Sequence, residues 1–439
     1  MTQTGIERVY GLIVDDDEEP GPAAVGVSDQ IVDEVPGNAV KLVGALTLQK
    51  VGDRIVDPKT VLAWLFGALA VPTVLTGLLV PIRESGSLLP QAALIPLVRR
   101  VPRRKWVWVA GATGMAVAVL GMAAVTATTD GTTAGILVLV ALAVFALSRS
   151  LGSIASKDVR GRTIPKGKRG QITGAAAITS GIVAITFGVA IQIWGGQDAD
   201  PATFAILLVV AAAPWIAALS IFATIVEPIG EHDEEVDVGA TREALSLLID
   251  DPPFRRFVTA RALLLVSALT PPFVVALATA EGGEVSLSGL GPFVIAQGLA
   301  SLLGGRLWGR WADRSSRRVM MTAAGLASAV VIVFLVLISF ESLRTVDLLY
   351  PLTYFALALI HTGSRIGRKT YVVDLAEGNR RTDYVAVANT AMGVLLLVAG
   401  AISAGLSALG AEVALGFLAL LGVLAVPVGQ GLPEVSVGG

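Results

Sequence analysis

Apolar positions in this chain fall into long unbroken runs separated by short polar stretches, without the alternation of period two that marks half-buried strands. These runs predict twelve helices, at about 40–66, 71–97, 106–128, 132–152, 171–196, 202–226, 257–278, 287–307, 319–340, 349–366, 384–407 and 413–430. A membrane-crossing helix needs about 20 apolar residues, whereas outer-membrane barrels show weaker alternating segments of about 10. The first helix is unusual in holding Lys50, Asp53, Arg54, Asp57 and Lys59. Starting it at Thr60 instead leaves only 87–98 for the second helix, about 18 Å where roughly 30 Å is needed, so the charged helix is preferred. The expectation is an all-α membrane protein with twelve transmembrane helices.

Composition agrees with the pattern. Of 439 residues 54% are hydrophobic and 15% charged, against roughly 45 to 50% and 25% in soluble domains. There are no cysteines, which excludes a disulfide framework, a thiolate metal site and a cysteine nucleophile. The net charge is −2, with acid concentrated at 15–19 and 231–237. Residues 1–39 hold one basic residue, Arg8, and no apolar h-region, and read as a tail and not a signal peptide. Cytoplasmic loops carry an excess of Lys and Arg. With both termini cytoplasmic, the inner loops hold 24 basic residues and the outer loops one, Arg344. That alternation fixes the expected orientation of a multi-pass plasma-membrane protein. Trp64, Trp106, Trp108, Trp194, Trp308 and Trp311 fall at predicted helix ends, as interfacial aromatics do.

A polar stretch divides the helices six and six, and the halves resemble each other at an offset of 211 to 212 residues. Gly77 and Leu78 match Gly289 and Leu290, Gly86 matches Gly298, Gly114 matches Gly325, Gly152 and Ser153 match Gly363 and Ser364, and Arg169 matches Arg380. The chain thus divides into an acidic cytoplasmic tail (1–39), a six-helix bundle (40–226), an acidic cytoplasmic linker (227–256), a second, pseudo-symmetric six-helix bundle (257–430) and a C-terminal cytoplasmic tail (431–439). Two repeats about an axis along the membrane normal, with the substrate path between them, is a secondary-transporter plan.

After the eighth predicted helix the sequence runs Gly309-Arg-Trp-Ala-Asp313-Arg314-Ser-Ser-Arg317-Arg318. This resembles the signature loop of the major facilitator superfamily, with Ser316 at the usual second glycine. The resemblance implies a charge-locked cytoplasmic gate of Gly309, Asp313, Arg314, Arg317 and Arg318. Gly309 would permit close helix packing, and Asp313 would cap the next helix or pair with an arginine. A solvated basic loop is the plainer reading of the same residues. The superfamily usually repeats the motif after the second helix, but here 99–105 reads Arg-Arg-Val-Pro-Arg-Arg-Lys with no acid. The stretches at 50–53, 83–91 and 367–371 are similar to a subgroup of poorly characterised prokaryotic permeases of that superfamily, which brings no substrate with it.

Lys50, Asp53, Arg54 and Asp57 are spaced by three and four and share a helical face. By helix midpoints, Asp53 and Arg54 lie at the depth of Arg83 and Glu84. Charges at a helix centre cost at least about 2.5 to 3.5 kcal/mol each and persist by pairing or by facing a water-filled cavity. Together with Gln91 these six form the candidate substrate or proton site. The competing reading is a balanced network of three acids and three bases that locks the first two helices together. Pro81 and Pro90 can break the second helix near Arg83. Gln297, Arg261 and Asn389 are further candidates, and His361 is read as a packing residue or a titrating one. Arg261 and Arg365, near predicted helix ends, are read as snorkelling.

No Walker-type loop suggests ATP hydrolysis, no ligand cluster suggests a metal or other cofactor, and topology explains the basic loops without nucleic acid. An intramembrane enzyme lacks a nucleophile and base. The expected function is secondary active transport of a small solute by alternating access, coupled to a proton or sodium gradient, by a monomer in the lipid bilayer. A non-transporting sensor or assembly factor on the same fold is the alternative.

Overall fold

The computed structural model describes residues 3–13, 29–91, 93–94, 98, 100–165, 169–194, 201–229, 246–281, 287–375 and 381–435. Both acidic stretches, 15–19 and 231–237, lie outside the described residues. So do the side chains of Trp194 and Asp313.

Every regular element among the described residues is helical. In the first part of the chain these are α1 (Gln3–Ile13), α2 (Val35–Ile55), α3 (Val61–Ala68), α4 (Thr73–Thr76), α5 (Leu79–Leu88), α6 (Lys105–Thr128), α7 (Gly131–Thr163), α8 (Arg169–Trp194) and α9 (Pro201–Ala223). The second part holds α10 (Pro252–Leu263), α11 (Val266–Leu269), α12 (Pro271–Glu281), α13 (Leu287–Arg314), α14 (Ser316–Ile338), α15 (Glu341–Arg344), α16 (Leu349–Leu375), α17 (Arg381–Leu406) and α18 (Ala411–Gln430).

Among the described residues, eight stretches are long and apolar enough to cross a membrane: α6, α7, 202–223 in α9, 252–281, 288–309 in α13, α14, 387–409 and α18. The predicted first helix differs from the single rod expected. It breaks after Ile55, because Asp57 precedes a proline and is disfavoured from helical geometry. The Asp57 carboxylate accepts the Lys59 backbone N–H (2.8 Å), closing a turn from which α3 restarts. Asp57 therefore sits in the turn, off the helical face expected for it. The predicted seventh helix is broken in the same way, between α10, α11 and α12, ahead of Pro271 and Pro272. In the second helix the interruption is at Gly77 and Leu78. Pro81 lies in the first turn of α5, where a missing N–H costs nothing, and the ladder at Arg83 is intact.

Both tails make contacts with the helices. Helix begins at Val35 and not at 40, and within 1–39 the helix α1 packs on α2 and α8. The C-terminal tail is docked as well: Tyr371 donates to the Pro433 carbonyl (3.0 Å) and Arg317 to that of Leu432 (2.8 Å).

Helices of the first part pack together, α6 on α7 and α9, α2 on α8 and α9, and α5 on α7. In the second part α13 and α14 pack on α16, and α18 on α14 and α10. Two seams join the parts, α8 along α13 and α5 along α17. Backbones approach closely there: a Cβ on Gly188 would stand 2.9 Å from both the backbone N and Cγ1 of Ile295. At one end the parts are shut. A Cβ on Gly77 would meet the Ala404 Cα at 2.9 Å, Gly67 packs against Thr279, and Trp64 meets Phe293 (5.5 Å between centroids), which in turn meets Tyr354 (5.6 Å). Three of the tryptophans read as interfacial, Trp64, Trp108 and Trp308, are buried, whereas Trp106 and Trp311 are exposed. Trp108 stacks on Phe222 at 3.9 Å inside the first part.

Gly188→Ala should destabilise the α8–α13 seam by about 1–3 kcal/mol, read as a lower melting temperature in detergent. Gly305→Ala on the same α13, where a Cβ meets nothing within 4 Å, should change it little.

Candidate functional site

Between the two parts lies a belt of charged side chains, and Asp53 is its centre. Its Oδ2 is 2.7 Å from Arg149 Nη2 and its Oδ1 3.3 Å from Arg83 Nη2. Asp53 is 16% exposed, Arg83 12% and Arg149 25%, so each keeps some access to solvent deep in an apolar bundle. The Arg83 guanidinium also lies 4.8 Å from the centroid of Phe145, a cation–π contact. Its Nη1 donates to Ser87 Oγ (2.9 Å), and Gln91 Nε2 donates to the Ser87 carbonyl (2.7 Å).

Two other cations of the first part reach across to the second. Arg54 Nη2 donates to Ser301 Oγ (2.8 Å), which donates to the Gln297 carbonyl (2.8 Å). Lys59 Nζ lies 3.1 Å from His361 Nε2, and His361 Nδ1 lies 3.2 Å from Ser267 Oγ. With Lys59 as an ammonium, which can only donate, Nε2 accepts and Nδ1–H donates to Ser267. His361 thus bridges the parts and is more than a packing residue. Ser85 adds a buried cross-link, donating to the Gly393 carbonyl (2.8 Å).

Glu84 makes no ion pair or hydrogen bond among the described residues. The cations acting on it are Lys59, Arg83, Arg365 and Arg368. Lys50 is influenced by Asp53, Arg54, Arg149 and Arg365. Arg365 is exposed, yet its charged neighbours Arg54 and Glu84 belong to the opposite part. The space it faces is therefore between the parts and not lipid, and snorkelling does not describe it. Farther along, Lys157 and Lys369 are also exposed and sense each other across the same space. The exposed members of the belt, Arg365, Lys157 and Lys369, run toward the basic loops and away from the end shut by Gly67, Gly77 and Trp64.

The six charges predicted from sequence do not form a self-balanced set. Among them Asp53 and Arg83 make an ion pair, and Arg149, Lys59, Arg365 and Arg368 add positive charge. For the three arginines the reason they fell outside the predicted set is helix length. The fourth and tenth predicted helices end at 152 and 366, which makes Arg149 and Arg365 terminal; α7 runs on to Thr163 and α16 to Leu375, which makes both interior. Arg261 donates to Asn389 Oδ1 (3.1 Å) within the second part, and Gln297 is buried.

The predicted gate residues lie at the basic end. Gly309 makes no close approach, since a Cβ there meets nothing within 4 Å. Asp313 is inside α13, and the N-cap of α14 is Ser315, whose hydroxyl accepts from the Arg318 N–H (3.2 Å). Arg314 and Arg318 are exposed. Arg317 Nε pairs with Glu434 (3.4 Å), which also accepts from Ser315 Oγ (2.6 Å). The first part has a counterpart. Glu227 accepts the backbone N–H groups of Arg104 (3.0 Å) and Lys105 (2.8 Å) at the start of α6, and Arg104 Nε pairs with Asp158 (3.0 Å). Burial pushes the Glu227 carboxyl up from its ordinary range, and the two N–H donors work against that shift. The acid absent from 99–105 is thus replaced in space by one at the end of α7 and one after α9.

No protein-family profile and no curated protein matches the sequence. Solved structures do match. The nucleoside transporter NupG superposes with a TM-score of 0.71 at 10% identity, over 90% of this chain and 99% of that one. A D-xylose-proton symporter gives 0.70 at 12% identity, over 91% and 99%. The peptide transporter POT in complex with sulfate gives 0.66 at 13%, over 90% and 93%. The chain shares the fold of these solved structures. With its membrane-crossing helices, this places the charge belt inside a multi-pass membrane bundle.

Asp53→Asn leaves Arg83 and Arg149 without a carboxylate and should cost about 3 kcal/mol, measured as a fall in apparent melting temperature. Asp130→Asn, at an exposed helix start, should stay within about 0.5 kcal/mol of wild type.

Proposed function

We propose that this protein is a secondary active transporter that moves a small solute by alternating access and draws on an ion gradient. The observation that carries this reading is the solvent-accessible charge belt between two groups of helices, open at the basic end and shut at the other. Charged groups inside a membrane bundle persist where they line a pathway or pair with one another, and here Glu84, Arg365 and Arg368 have no ion-pair partner among the described residues. The names of the superposed structures support solute transport: one carries nucleosides, one xylose with protons and one peptides.

Twelve spans complete this reading. The four beyond the eight apolar ones are the broken first helix, the short pieces α4 and α5, α8, and α16 with its Tyr, His and Arg residues. They form two six-helix bundles, 40–226 and 257–430, with 1–39, 227–256 and 431–439 on the cytoplasmic side of the plasma membrane. The basic opening then faces the cytoplasm by the positive-inside rule. In this state Trp64, Phe293 and Tyr354 close the outer side. Reorientation would part them and bring the basic ends together, with Glu227 and Glu434 stiffening the inner face of each bundle. Asp53 and Glu84 are the acids placed to couple solute movement to protons, and the site of Lys50, Asp53, Arg54, Asp57, Arg83, Glu84 and Gln91 is enlarged by Arg149, Lys59 and His361.

Purified protein in proteoliposomes, tested with labelled sugars, nucleosides, peptides, carboxylates and phosphates, should give flux that an imposed pH or sodium gradient accelerates. Glu84→Gln should reduce gradient-driven accumulation by about tenfold or more while leaving the fold intact, because its carboxylate makes no ion pair to break. Correctly inserted protein that moves none of these solutes under any gradient would refute transport in favour of a sensing or assembly role. For orientation, the cysteine-free chain is suited to single-cysteine labelling. An impermeant maleimide should modify Ser342→Cys on intact cells and reach Ala240→Cys only after permeabilisation.

A further inference from the structure

Within the charge belt the positive groups are not matched by carboxylates. Asp53 is occupied by Arg83 and Arg149, and Asp57 by its own turn. Glu84 remains, facing Arg365 and Arg368 without pairing to either. Arg365 makes no hydrogen bond or ion pair among the described residues. Among the described residues the only polar contact of Arg368 is a 4.0 Å approach of Nη1 to the Met392 sulfur, and its buried Nε has no partner. Arg261 next to it has, among the described residues, only Asn389, and its Nε is likewise buried without a partner there.

Each of these guanidiniums would be costly in an apolar bundle without a counter-charge. Arg365 and Arg368 are three residues apart on α16, so their planar forks lie on one face. Two adjacent forks fit the paired oxygens of a carboxylate or phosphate, which can accept parallel N–H bonds from each. Exposed Lys157 and Lys369 line the approach from the basic end, which raises the local concentration of anions at the entrance.

We propose that the transported solute is a small multivalent anion, a carboxylate or phosphate compound, held by Arg365 and Arg368 with Arg261 behind them. This rests on the transport reading above and gives its substrate class. A neutral solute would leave the guanidiniums uncompensated, and a cation would be repelled on entry.

The test is thermal unfolding of the full-length protein in detergent, at constant ionic strength set with sodium chloride. Citrate and inorganic phosphate at about 10 mM should each raise the melting temperature by about 4 °C, while xylose and putrescine should not. Arg365→Gln, a change at an exposed position, should cut the anion-induced shift at least about threefold. Arg365→Lys, which keeps the charge but loses the fork, should fall between the two. Shifts no larger for the anions than for xylose, or a full shift in Arg365→Gln, would overturn the proposal. A shift with phosphatidylglycerol in mixed micelles but not with citrate or phosphate would also overturn it, by giving the site to a lipid headgroup. Because the measurement needs no flux, anion binding without transport would defeat only the transport reading. Flux of a neutral solute without anion binding would defeat only the substrate class.

Discussion

A charge inside an apolar bundle must find either an opposite charge or water, and this protein is arranged around that constraint. Asp53 holds Arg83 and Arg149 from two different helices, so the carboxylate fixes α2, α5 and α7 about one point. The break at Asp57 and Pro58 lies one helical turn further on and swings Lys59 to His361 in the second part. Arg54 crosses to Ser301 from the same stretch. Polar links between the two parts therefore radiate from a few residues near the interruption in the first helix.

The two ends of the belt differ because they are built from different residue types. At the shut end Gly67, Gly77 and Trp64 contact Thr279, Ala404 and Phe293 without charge. Van der Waals contact between small residues is what joins helices in a bilayer, where no hydrophobic force does so. At the other end Lys369 lies among like charges, Arg365, Arg368, Lys157 and Arg261, and repulsion there favours separation. Arg344, alone on the shut side, is tied to Glu281 (2.6 Å) and Glu412 (3.3 Å). These half-buried pairs are each worth about 1 kcal/mol and hold the α15 turn over its neighbours.

Much of the site was legible in the sequence because intramembrane charge is rare enough to stand out. Asp53 and Arg83 were placed at one depth by counting from helix midpoints, and they do pair. What misled the count was the assumption that a helix ends where its apolar run ends. Helices α7 and α16 continue well past that point, so Arg365, read as snorkelling, and Arg149, three residues from a predicted helix end, lie inside. The tryptophans misled for a related reason: position near a helix end does not distinguish a side chain turned to lipid from one stacked in the core, as Trp108 is on Phe222. The signature loop was legible as a motif, but Gly309 packs on nothing and Ser315 takes the cap.

By itself the sequence determined the solvent and the helical class, because these follow from the local cost of placing apolar groups in lipid or water. Tertiary structure alone decided which charges meet. The distance from Asp53 to Arg149, or from Lys59 to His361, depends on helices about 100 and 300 residues apart in the chain, and side-chain periodicity holds no information at that range. It also decided the balance of charge in the belt. Six predicted charges summed to zero, and only folding brought Arg149, Arg365 and Arg368 among them, turning a neutral cluster into a positive one.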